Sequence, residues 1–139
     1  MPLDLAEIVP GCVAMLEAEP LIADPAVQYG GEEAGFRSSP FLCVHVENGI
    51  CTWLYLTTKL DKRGLRLEIK SEWRLEGSNV WQQSACYVGD ARKPFSGPIE
   101  SFVVAAANEL PHQPHNRPHV SAEGVDAALR EIQKYRRAP

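Results

Sequence analysis

Two stretches of the chain carry residue types suited to holding a phosphate. GGEEAGFRSSPFLCV (30–44) is a glycine-rich segment that presents Glu32, Glu33 and Arg37 just before an apolar, strand-prone run. LYLTTK (54–59) puts Thr57 and Thr58 at the end of a second such run. Arginine brings a permanent charge on a planar fork that matches phosphate oxygens. A threonine hydroxyl beside it adds a donor where negative charge builds. Arg37 and Thr57 therefore form a candidate oxyanion site. Alternation along the strand is expected to send Thr57 and Thr58 to opposite faces.

The charge distribution fits an anionic partner better than the total does. The net charge is −4, yet residues 59–74 hold six bases (Lys59, Lys62, Arg63, Arg66, Lys70, Arg74) against three acids. Residues 1–36 hold seven acids and no base. A local basic stripe can bind phosphates on an acidic molecule. Trp53, Trp73 and Trp81 offer faces on which bases stack, although strand positions favour packing in the interior. His112, His115 and His119 have a spacing open to zinc, but they lie in a proline-broken stretch, PHQPHNRPH (111–119), that reads as a polar connector. His45 sits in a strand and reads as structural. No metal site is expected. Cys12, Cys43, Cys51 and Cys86 contain no C-x-x-C pair and read as buried, reduced thiols.

The elements that must position these groups are mostly strands. FLCVHVE (41–47) and ICTWLYLTT (50–58) flank Asn48-Gly49, the dipeptide that best supplies a type I′ hairpin turn. LRLEIK (65–70) alternates apolar and charged residues, which predicts a half-buried strand. SACYV (84–88) and CVAML (12–16) read as further strands. Residues 18–40 read as a long loop, of the kind that is usually functional. PIESFVVAAANEL (98–110) suits helix or strand. Ser121 caps a final helix in which Val125, Ala128, Leu129, Ile132 and Tyr135 recur at helical spacing.

At 139 residues the chain is expected to be one domain. It has no repeats and no apolar run near the ~20 residues of a membrane helix. The first residues are acidic where a signal peptide is basic, so a cytoplasmic location is expected. Short strands and a terminal helix predict a mainly β fold: a small antiparallel β-barrel of the SH3-like kind with α additions.

Taken in order, these motifs resemble the MazF/PemK family of toxin endoribonucleases. Pro10-Gly11-x-Val13 is similar to the family's opening strand, GGEEAGFR to its Gly-x-Glu-x-x-Gly-x-Arg loop, FLCVHV to the strand after that loop, and LTTK to its Thr-ended strand. Residues 65–92 and VSAEGVDAALREI (120–132) resemble its second half and closing helix. The chain departs from the pattern where Ser38-Ser39 separate Arg37 from Pro40, and residues 93–119 read as an insertion. The resemblance implies cleavage of single-stranded RNA without metal or cofactor, by a homodimer that an antitoxin protein neutralises. Carried over by position, Arg37, Thr57 and Glu32 are the catalytic residues. Lys59, Lys62, Arg63 and Arg66 are the expected RNA-binding residues. The alternative is a non-catalytic SH3-like barrel that binds a protein partner, such as a topoisomerase. A metal site at the three histidines is the third reading.

Overall fold

The computed structural model describes residues 3–29, 38–60, 64, 66–112 and 116–136. In chain order it contains β1 (Val13–Glu17), α1 (Ala18–Ala23), β2 (Gln28–Tyr29), β3 (Ser38–Glu47), β4 (Ile50–Thr57), β5 (Arg74–Leu75), α2 (Asn79–Gln83), β6 (Tyr87–Val88), β7 (Phe95–Pro98), α3 (Ile99–Ala105), β8 (His119–Val120) and α4 (Ala122–Arg136). The hairpin forms as its turn dipeptide demands. Asn48 and Gly49 take φ of 52° and 77°, and Glu47 faces Ile50 across the closed end. Positive φ at both central residues matches the twist of the two strands.

The β3–β4 hairpin is the centre of an antiparallel sheet in the order β1-β3-β4-β7-β2, with β6 paired to the end of β4. The sheet is buried on both faces. Phe41, Cys43, Cys51 and Trp53 point to one side with Leu3, Leu16, Leu21, Phe95 and Phe102. Leu42, Val44, Leu54 and Leu56 point to the other with Ile69, Trp73, Val125, Ala128 and Ile132. That is the period of two expected of strands, but with apolar residues on both faces. Helices α1 and α3 cover the first side and α4 the second. Trp53 stacks on Phe102 at 5.5 Å. Burying an aromatic side chain of this kind contributes about 1.5–3 kcal/mol. α4 starts where Ser121 accepts the Gly124 N–H at 3.3 Å.

Several expectations need correction. The fold is β-rich and antiparallel, but among the described residues the sheet is open and no pairing joins β1 to β2. The β1 edge is occupied by other groups. The Met15 N–H donates to Glu109, the Val13 N–H donates to the Pro118 carbonyl, and the Val13 carbonyl accepts from Arg117. Residues 18–40 are not a single loop, since α1, β2 and the start of β3 lie within them. Pro20 is tolerated in α1 because the N–H groups of a first turn have no helical partner. Residues 66–70 keep the expected alternation, with Ile69 buried, but form no extended strand. They are held to β6 and its approach by a Glu68–Tyr87 bridge and by the bonds Ile69 N–H to Cys86 and Val88 N–H to Leu67. Within the stretch that reads as an insertion, Phe95–Pro98 add β7 to the sheet and Ile99–Ala105 form α3 over one of its faces.

Candidate functional site

An open groove of about 800 Å³ runs along the ends of β1, β3 and β4. Its lining includes Met15, Ser38, Pro40, Thr57, Thr58, Trp81, Asn108, Leu110 and His112. Thr57 is half-buried, and its Oγ1 accepts the Lys59 N–H at 3.1 Å. β4 ends at Thr57, so strand alternation no longer applies to Thr58, and both threonines line the same groove. Ser39 Oγ donates to the Leu56 carbonyl at 2.9 Å and pins the start of β3 to the end of β4.

Arg37 and Glu32 lie outside the described residues, as do Lys62, Arg63 and His115. Ser38, bonded directly to Arg37 in the chain, is on the groove wall with Thr57. Lys59 is exposed two residues beyond Thr57. Arg66 is drawn into the fold instead: Nε donates to the Gly89 carbonyl at 2.9 Å and Nη1 to the Lys59 carbonyl at 2.7 Å. It lines a second, smaller cleft with Tyr55, Asp90, Arg92 and Tyr135. Of the three tryptophans, Trp53 and Trp73 are buried and Trp81 alone reaches the groove. Arg74 is also buried. Its Nη1 donates to the carbonyls of Trp81 and Ser84, which holds α2 in place, and among the described residues its Nε has no partner.

The groove wall hides an ionic network that the sequence reading took for a polar connector. Arg117 Nη2 meets Glu109 Oε1 at 2.9 Å, and Nη1 meets Oε2 at 3.1 Å. Their side chains are only 6 % and 2 % exposed. Arg117 Nε also donates to Glu7 at 2.8 Å. The second Glu109 oxygen accepts the Met15 N–H at 2.8 Å and faces His112 Nε2 at 3.3 Å. Burial works against the charge on Arg117, but Glu109 and Glu7 outweigh it and raise its pKa. Burial also pushes the Glu7 carboxyl up, yet the Asp4 backbone and Arg117 hold it below its ordinary value. Nothing local signals this network, because its partners lie up to 110 residues apart.

His119 Nδ1 is turned to the Arg117 carbonyl at 3.1 Å, so His112 and His119 both face protein partners. The four cysteines are free and buried, as expected. Burial pushes Cys12 up to about 12 and Cys51 and Cys86 to about 11. They are inert thiols at neutral pH.

No protein-family model, curated protein or solved structure matches the chain. Among the described residues no helix is long and apolar enough to cross a membrane.

Proposed function

We propose that the protein is an endoribonuclease of the toxin type, cutting single-stranded RNA in the groove lined by Thr57. One observation supports this most: Thr57 and Ser38, the immediate neighbour of Arg37, open onto the same groove. The order β1-β3-β4 is also what the family resemblance needs, because it sets the opening strand, the strand after the loop and the Thr-ended strand side by side. In this reading the sheet is an opened relative of the SH3-like barrel.

The chemistry needs no metal. The ribose 2′-oxygen attacks the adjacent phosphorus in line, the P–O5′ bond breaks, and a cyclic phosphate and a 5′-hydroxyl result. Arg37 and the Thr57 hydroxyl stabilise the charge that builds on the non-bridging oxygens. Glu32 takes the 2′-proton or orients Arg37. Lys59, Lys62 and Arg63 guide the RNA backbone, while Arg66 braces the Lys59 carbonyl from within the fold, and the 2′-hydroxyl requirement selects RNA over DNA. The active form is a homodimer in the cytoplasm, restrained by an antitoxin protein.

Incubation of the protein in EDTA with a long single-stranded RNA, and separately with DNA of the same sequence, tests this reading. RNA fragments with cyclic-phosphate and 5′-hydroxyl ends are expected, with the DNA intact. Uncut RNA, or cleavage that EDTA abolishes and zinc restores, overturns it.

The wall composition favours one second reading. Val80 and Leu110 are 72 % and 80 % exposed on the rim, and the described lining includes no lysine or arginine. Such a surface suits an extended apolar peptide. The protein is then a binding module that retains the fold without the cleavage.

A further inference from the structure

Among the described residues His112 is the one imidazole on the groove, and it is held there by the buried ionic network. Its Nε2 faces Glu109 Oε2 at 3.3 Å. Glu109 cannot turn away, because Arg117 grips both its oxygens and the Met15 N–H donates to one of them. A carboxylate is an acceptor only, so Nε2 carries the hydrogen and Nδ1 keeps its lone pair. Among the described residues Nδ1 has no hydrogen-bond partner, and the side chain is 30 % exposed. A carboxylate fixing one ring nitrogen while the other faces a cleft is the arrangement that sets a histidine's tautomer for proton transfer.

We infer that His112 is a further catalytic residue, the base that meets the ligand in the groove that Thr57 also lines, with Glu109 and Arg117 as its positioning residues. The inference rests on the ribonuclease reading and deepens it. In the reaction, Nδ1 takes the proton of the ribose 2′-hydroxyl as the O2′–P bond forms. The P–O5′ bond breaks with its electron pair on O5′, which takes a proton from water. The imidazolium then returns its proton to solvent. Glu32 is left to orient Arg37. Among the described residues the charged groups around His112 are Glu109, Arg117 and Glu7, and the carboxylate of Glu109 stabilises the imidazolium as it forms.

The test compares wild type, His112→Gln and His112→Ala on single-stranded RNA across pH, with thermal unfolding of each. Gln preserves a donor to Glu109, so this variant is expected to fold. Its kcat is expected to fall about a hundredfold or more, and the limb of the pH–rate profile that reports loss of a proton from the base should vanish. Added imidazole should restore part of the activity of His112→Ala and none to His112→Gln, where the site is filled. A folded His112→Gln with the wild-type rate and pH profile overturns the inference and leaves the ribonuclease reading standing. A wild-type protein that leaves RNA uncut overturns both.

Discussion

Arg117 and Glu109 meet through two parallel contacts of 2.9 and 3.1 Å, shut off from water. The pair sits where a neighbouring strand would otherwise extend the sheet. It closes the β1 edge by bonding the Val13 carbonyl and the Met15 N–H. Its Glu109 also belongs to the lining of the groove that His112 and Thr57 share.

Removing one partner strands the other's buried charge. Arg117→Ala is expected to cost about 3–5 kcal/mol, because an uncompensated buried carboxylate is far worse than no pair at all. The double variant Arg117→Met with Glu109→Met should cost much less than the sum of the singles. Urea unfolding of Arg117→Met, Glu109→Met and the double variant checks this. Equal and additive losses would mean that the pair is not coupled.

The carboxylates also set the response to acid. Glu7 lies below its ordinary value of 4.5 despite burial, through the Asp4 backbone and Arg117. Asp24 is held below 3.8 by the Ser101 hydroxyl and the Ala26 N–H. Asp90 is low as well, since Arg92 outweighs the effect of burial. A depressed carboxylate contributes stability that is present above its unfolded pKa and lost as pH falls through its folded one. The unfolding midpoint should therefore be flat from neutral pH down to about 5 and then fall steadily toward pH 2. Glu7→Gln should make the acid fall shallower. An unchanged acid limb in that variant would remove Glu7 from the account.

Gly11 shows why a glycine stands in the opening motif. Its φ is +100°, and a Cβ there would lie 2.5 Å from the Val120 carbonyl oxygen. Its N–H bonds the Cys43 carbonyl and its own carbonyl accepts from Val120, so β8 and β3 meet at this residue. Gly11→Ala is expected to cost about 2 kcal/mol or more, through backbone strain and the clash. Gly49 has φ of +77° but open space around it, so Gly49→Ala should be milder. Melting temperatures of the two variants rank them, and the reverse order would contradict the packing argument.

The local signals in the sequence were legible wherever the physics was local. Asn48-Gly49 dictates its turn, the β-prone apolar runs of 41–47 and 50–57 dictate the hairpin, and Ser121 starts the last helix. Elements placed by distant partners were not readable. β7 carries no strand pattern of its own and exists because Cys51–Trp53 pair with Phe95–Gly97. Arg117 looks like a solvated residue between prolines, and only the fold brings Glu7, Val13 and Glu109 around it. The same holds for His112, whose role depends on a carboxylate that the chain buries. Of the candidate site, Thr57 and its place at a strand end were readable, whereas the part of the lining held by Glu109 and His112 was not.

The most direct measurement is the rate of RNA cleavage by Arg37→Ala, with circular dichroism confirming that the variant is folded. Losing a transition-state donor typically costs a hundredfold or more in rate, so cleavage should fall by at least about that factor. Arg37→Lys should recover only part of it, because a point charge does not reproduce the guanidinium fork. Thr57→Val should lower the rate as well. A folded Arg37→Ala protein that cuts RNA at the wild-type rate would contradict the account.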